Sequence, residues 1–245
     1  MPAELPPGLL EEYLANTRTQ MRLLAGLADR LAAAGNDVAA LDQLRGEAHK
    51  VRGTAGSYGF GAASRLAAGM EATARDWVAR PNEADMDRAA VARWFMSLLG
   101  QALELEAPRS RPPESVPTAV SHANVIVVDD DPALTGLLEY WLRARGYRFA
   151  ILGNGAEALD ALLALDRPAE HPLLLVDVDV PAPSGYAVLE ALQRESPGRF
   201  RVVCTTVSGD ESGRLRGLRA GAVDYLVKPI SLRIALERIR RWVGK

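Results

Sequence analysis

The chain has a single cysteine, Cys204, among 245 residues, so no intramolecular disulfide is available to it. No apolar run approaches the ~18 residues needed to cross a bilayer. The opening stretch, MPAELPPGLLEE, lacks a basic region followed by an apolar core, and the simple expectation is a cytoplasmic protein that is not inserted in a membrane. Charge of either sign is not in excess. The net charge is −2, residues 1–106 carry 11 basic and 14 acidic side chains, and residues 124–245 carry 16 of each. Neither half has the basic surplus of a nucleic-acid-binding domain, so no nucleic-acid partner is expected. The arginines between Arg214 and Arg219 and between Arg233 and Arg241 are read as solvated helix faces.

What is present is ordinary globular material, 48% hydrophobic and 24% charged, in a length that suits one large or two modest domains. Residues 1–106 read as a helical domain with four helices. Leu10, Leu14, Thr17, Met21, Leu24, Ala28 and Leu31 alternate at spacings of four and three, and the pattern stops at Gly35-Asn36. Leu41, Leu44, Ala48, Val51, Ala55 and Tyr58 form a second stripe that breaks near Gly59-Phe60-Gly61. Leu66, Met70, Thr73 and Trp77 form a third, ending before Pro81. Asn82 is a candidate cap for a fourth helix burying Val91, Phe95, Leu98, Ala102 and Leu105. Four amphipathic helices with short turns imply an up-down-up-down bundle.

Residues 107–123 contain four prolines and no hydrophobic period and read as a linker that also holds a solvated His122. From Val125 onward, strands and helices alternate. Apolar runs at 125–129, 149–152, 173–177, 201–206 and 223–227 are separated by helical segments at 132–145, from Asn154-Gly155 to Leu165, at 185–194, up to about Ala220, and at 231–243. Five such units imply a parallel sheet covered on both faces. Asp131 with Pro132 suits a helix start, and His171 falls in a loop.

Chemistry gathers at the carboxyl ends of these strands, where open α/β sheets bind ligands. The buried run Leu173-Leu174-Leu175-Val176 ends in Asp177, and Val125-Ile126-Val127-Val128 ends in Asp129-Asp130. Carboxylates gathered at adjacent strand ends repel one another, which implies a bound divalent cation, and Mg2+ is the expected one. In the helical half His49 lies one position past the core residue Ala48, with Arg52 at i+3 and Gly53 and Gly56 at i+4 and i+7. The glycines clear space beside the imidazole, and Arg52 brings a positive charge to it. The bland reading is a surface histidine whose glycines serve only close helix packing.

Residues 124–245 resemble a two-component receiver domain, carried by VIVVDDDP, LLLVDVDVPAPSG, VVCTTVSG and GAVDYLVKPI in that order. The string His49-Lys50-Val51-Arg52-Gly53-Thr54-Ala55-Gly56 is similar to the phosphoacceptor segment of histidine phosphotransfer domains. The resemblance implies a four-helix bundle followed by a five-stranded flavodoxin-like sheet of strand order 2-1-3-4-5. It further implies that Asp177 is a phosphoacceptor, and that Asp129, Asp130, Asp177 and the Asp179 backbone carbonyl hold Mg2+. Thr206 would donate a hydroxyl to the phosphoryl group, Lys228 would supply a cation to it, and Tyr225 would occupy the family's aromatic switch position. His49 would be a second phosphoacceptor, with Arg52, Gly53 and Gly56 at its docking surface. The implied partners are a sensor histidine kinase and other receiver or phosphotransfer proteins. No kinase or DNA-binding segment is expected. Two other readings are an adaptor whose receiver binds a protein partner when phosphorylated, and a receiver that acts without phosphate. Val207 stands where receivers carry a small residue, and Val180 where methionine is common.

Overall fold

A computed structural model describes residues 8–83, 86–103, 120–165, 171–207, 209 and 211–243. The chain divides into two compact units, residues 1–111 and 112–245. Most of the expected linker, residues 107–119, and Leu105 lie outside the described residues. His122 closes a short 3₁₀ turn, Val120–His122, and is exposed.

The first unit holds α1 (Leu9–Ala33), α2 (Val38–Ala55), α3 (Gly61–Ala79) and α4 (Arg88–Ala102). Each helix packs on its neighbour in sequence, and α4 closes the ring against α1. Trp77, Phe95, Leu24, Leu41, Leu44, Met70 and Leu99 fill its interior. Between α2 and α3 a 3₁₀ turn, Gly56–Tyr58, leads to Gly59 at φ +87°, a left-handed conformation that favours glycine. Gly56 and Tyr58 therefore belong to this turn and not to the helix expected to contain them.

Three details depart from the sequence reading. Leu10 is exposed, and Tyr13 takes its place in the stripe because its ring stacks on Tyr58 at 4.1 Å. In α4 and at its C-cap, Leu99 and Leu103 are buried while Leu98 and Ala102 are half-buried. The stripe at strict four-residue spacing buries two leucines where its alternative buries a leucine and an alanine. The cap of α4 is Asp87, which accepts from the Ala90 amide at 2.9 Å; Asn82 instead accepts from the Asn36 side chain.

Buried Arg88 ties one end of the bundle together. Its Nη1 donates to the carbonyls of Gly35 (2.7 Å) and Pro81 (2.8 Å), and its Nη2 to those of Arg80 (3.0 Å) and Glu83 (2.7 Å). The guanidinium also lies over the Trp77 ring at 5.8 Å. One planar fork thus satisfies carbonyls from two interhelical connections.

The second unit contains β1 (Val125–Val128), α5 (Pro132–Ala144), β2 (Phe149–Leu152), α6 (Gly155–Leu163) and β3 (Leu173–Asp177). There follow α7 (Gly185–Glu195), β4 (Arg201–Thr206), α8 (Glu211–Arg219), β5 (Ala222–Val227) and α9 (Leu232–Val243). The strands form one parallel sheet ordered β2-β1-β3-β4-β5. β1 and β3 are buried along their whole length, as continuous aliphatic runs require of central parallel strands. Cys204 is buried in β4, and burial pushes its thiol up to about 12. Asn154 caps α6, accepting from the Glu157 amide at 2.8 Å.

Gly185, at the start of α7, is required by close approach: a Cβ there would lie 2.1 Å from the Asp177 carbonyl oxygen. The strand that ends in Asp177 and the helix that follows it therefore meet backbone to backbone. One arginine departs from the solvated-face reading. Arg233 is 8% exposed, and its charge is met by Glu237 one turn on, at 3.0 Å.

Candidate functional site

In the sheet, β1 and β3 are paired with Val128 opposite Val176. Asp129 and Asp177 therefore emerge side by side, and Asp130 follows. Carboxylate oxygens of Asp129, Asp130 and Asp177 all lie within 4.8 Å of one another. Asp129 and Asp177 are buried and Asp130 is exposed. Lys228, one residue past β5, reaches both buried acids, with its Nζ 2.8 Å from Asp129 Oδ2 and 2.7 Å from Asp177 Oδ2. The remaining oxygens accept backbone amides: Asp177 Oδ1 from Asp179 N at 3.0 Å, and Asp129 Oδ1 from Asp131 N at 2.9 Å.

Burial pushes the Asp129 carboxyl up to about 6, against the opposing pull of Lys228. For Lys228 burial acts downward, but the charges and hydrogen bonds of Asp129 and Asp177 outweigh it and hold the ammonium above its ordinary value. Hard oxygen donors in a tight cluster, with too little positive charge beside them, fit a small divalent cation such as Mg2+.

Thr206, the last residue of β4, is buried. Its hydroxyl donates to Asp179 Oδ2 at 3.5 Å, and the Val207 amide donates to the same oxygen at 3.4 Å. The Val207 side chain is 69% exposed, so it stands at the rim of the site. Val180, by contrast, is buried in the core.

In the bundle, His49 presents an exposed imidazole on α2. Its Nδ1 lies 3.3 Å from Glu71 Oε1, on α3, and the Glu71 side chain is 5% exposed. Arg52 Nη1 reaches Glu71 Oε2 at 3.1 Å, and Arg75 Nη2 reaches Oε1 at 2.9 Å. Burial works to raise the Glu71 carboxyl, but hydrogen bonds from Arg52 and His49 outweigh it, and the group stays ionised below its ordinary range. With Nδ1–H directed at Glu71, Nε2 is the nitrogen left with a lone pair for chemistry. A Cβ on Gly53 would meet nothing within 4 Å, so this glycine does not serve helix packing, whereas one on Gly56 would touch Ser64 at 3.5 Å.

Two family models match this chain, an Hpt domain over residues 8–108 and a response regulator receiver domain over residues 125–240. The chain joins an Hpt domain to a response regulator receiver domain. Among curated relatives, a probable transcriptional regulator, ycf27, of Cyanophora paradoxa is 35% identical over 122 residues, covering 49% of this chain and 48% of the relative. The DNA-binding response regulator MtrA of Mycolicibacterium smegmatis is 35% identical over 116 residues, covering 47% and 48%. The chain spans about half the length of these relatives. Among solved structures, the receiver domain of sensor histidine kinase PA1611 from Pseudomonas aeruginosa, with a magnesium ion in its active site cleft, is 25% identical. It covers 51% of this chain and 99% of that one, with a TM-score of 0.44.

Glu71 and Arg75 of the Hpt domain and Tyr186 of the receiver escaped the sequence reading. In the Hpt domain, Glu71 and Arg75 reach the histidine site from a neighbouring helix. The available signal was an acid adjacent to the core residue Met70 with a basic residue at i+4, a common surface pattern. In the receiver, Tyr225 is half-buried and its hydroxyl lies 2.7 Å from that of Tyr186 on α7; each hydroxyl is 3.1 Å from the Gly213 carbonyl in α8. The ring sits where a side chain on Gly217 would be, since a Cβ there would come within 2.4 Å of Tyr225 Cε2. Burial, reinforced by the Tyr186 hydrogen bond, raises the Tyr225 phenol far above its ordinary value.

Proposed function

We propose that this protein is a phosphorelay intermediate in which His49 accepts and passes phosphoryl groups to and from receiver aspartates, and Asp177 accepts one in its own receiver. The observation that carries the reading is the convergence of Asp129, Asp130 and Asp177 with Lys228 at adjacent strand ends. In transfer to the receiver, an Asp177 carboxylate oxygen attacks phosphorus and an acyl phosphate forms. The phosphorus–nitrogen bond of the donor histidine breaks, and that nitrogen leaves with the bonding pair. Asp129, Asp130, Asp177 and the Asp179 backbone carbonyl would hold Mg2+, which supplies positive charge to the oxygens of the transferring group. Lys228, now paired with Asp177, would turn to a phosphoryl oxygen, and Thr206, now bonded to Asp179, would donate its hydroxyl to another.

In the Hpt domain Glu71 orients the imidazole through Nδ1, so that Nε2 faces the incoming phosphorus. Arg52 adds cationic charge beside that approach, and Gly53 leaves it open. Tyr225 is the residue through which the receiver's state would reach α8. The partners on this reading are a sensor histidine kinase and other receiver or Hpt proteins. The deciding experiment is labelling from phosphorylated kinases and small phosphodonors, in the wild type and in His49→Gln and Asp177→Asn variants. His49 should give an acid-labile, base-stable phosphoramidate, and Asp177 an acyl phosphate labile to base and hydroxylamine. Base-stable label that persists in His49→Gln would remove the Hpt assignment, and hydroxylamine-labile label that persists in Asp177→Asn would remove the receiver assignment.

A further inference from the structure

A fourth carboxylate stands at the receiver site beside the three that face the metal position. Asp179 is exposed, and its Oδ2 accepts from both the Thr206 hydroxyl at 3.5 Å and the Val207 amide at 3.4 Å. A hydroxyl and a backbone N–H converging on one oxygen make an anion-binding pair. Here the anion they hold belongs to the protein. Its backbone N–H, meanwhile, donates to Asp177 Oδ1 at 3.0 Å, which places the Asp179 main chain against the acceptor.

We propose that the Asp179 carboxylate is an internal competitor for the phosphoryl-binding subsite, occupying the donors of Thr206 and Val207 until an incoming anion displaces it. The inference rests on the reading of Asp177 as the phosphoacceptor. Two consequences of the side chain act together. Its oxygen fills the place of a phosphoryl oxygen, so an anion must break two hydrogen bonds before making its own. Its charge also remains nearby after displacement. Lys228 gives its ammonium to Asp129 and Asp177, Asp130 stands beside them and Asp179 lies against Thr206, so these four carboxylates with Lys228 and a divalent cation still carry one negative charge. The same charge attracts the cation, so Asp179 favours metal loading and opposes anion loading.

That pair of opposite effects separates the proposal from a merely structural role, which would weaken both ligands or neither. The experiment titrates the full chain with Mg2+ alone, and then with beryllofluoride, a phosphoryl mimic, at saturating Mg2+, both by calorimetry. Asp179→Asn and Asp179→Ser are compared with wild type; both substitutions are at an exposed side chain and leave the Asp179 backbone groups in place. Each variant should bind beryllofluoride about tenfold more tightly and Mg2+ a few-fold more weakly than wild type. The Val207 amide resonance of the metal-free protein should move in both variants, and Asp179→Glu should keep anion binding near the wild-type level. Beryllofluoride binding that is equal or weaker in both the Asn and Ser variants overturns the proposal alone. Absence of Mg2+-dependent beryllofluoride binding in wild type and variants alike overturns the acceptor reading of Asp177, and the proposal with it.

Discussion

Glu71 Oε1 lies 3.3 Å from His49 Nδ1, across the interface between α3 and α2, from a position almost wholly out of solvent. The contact holds the imidazole through Nδ1 and leaves Nε2, the nitrogen proposed to accept phosphorus, out of that contact. Replacing Glu71 by glutamine should preserve the fold, yet lower the rate of His49 phosphorylation by roughly tenfold through loss of charge and orientation. Rapid-quench labelling checks the rate. Nitrogen chemical shifts of the ring check the tautomer, which should become mixed in Glu71→Gln.

Metal binding by the receiver should depend on pH. The Asp129 carboxyl sits at about 6 in the folded, metal-free protein, against an ordinary 3.8. Below about 6 a cation must expel a proton, so apparent Mg2+ affinity should fall by roughly tenfold per pH unit there and level off above it. The same shift has a sign for stability. The folded state holds an extra proton between 3.8 and about 6, so this group's contribution is fully present below 3.8 and is lost as pH rises through about 6. Calorimetric Mg2+ titrations and metal-free thermal melts between pH 5 and 8 would test both expectations.

Arg88 should be the most costly charged side chain in the bundle to remove. Arg88→Met takes the guanidinium from the carbonyls of Gly35, Pro81 and Glu83 and leaves that of Arg80 only the Glu83 amide, and should cost about 2–4 kcal/mol. Arg88→Lys keeps the charge but loses the fork and should recover only part of this. Urea denaturation of the full chain, followed by the helical signal, measures both.

Gly217→Ala should disturb the tyrosine cluster of the receiver. The added methyl would overlap Tyr225 Cε2, so the ring must shift, at a cost of about 1–3 kcal/mol. Thermal unfolding and the aromatic resonances of Tyr225 and Tyr186 would report it. Tyr186→Phe removes one hydroxyl without the clash, and should bring the raised Tyr225 phenol part of the way back toward its ordinary value in a spectrophotometric titration.

Much of the receiver site was legible because its chemistry is carried by single residues at the ends of unmistakable strands. Leu173 to Val176 cannot be placed other than in a buried strand, and Asp177 follows directly. Lys228 similarly follows β5. Contacts between helices left weaker traces. Helical periodicity says which side of α3 faces inward, but not which neighbour lies beneath Glu71, so its pairing with His49 and Arg52 could not be read along one helix. The shift from Leu98 to Leu99 has the same origin, since adjacent positions differ by about 100° and stripes at spacings of three and four overlap. Asn82 was read as the cap of α4, but Asp87 is an equally good capping type that lies nearer the helix, and the geometry of the connection gives it the role.

The pairing of Val128 with Val176 makes the acidic pocket a property of parity in the sheet. Successive residues on a strand point to opposite faces, so a single-residue insertion in β3 ahead of Asp177 would send that carboxylate across the sheet and bring a valine to the place beside Asp129. A two-residue insertion would restore the face but move the acid along the strand, away from Lys228. Sequence drift in this half of the molecule is therefore free to exchange one aliphatic residue for another in β1 and β3, but not to alter their lengths.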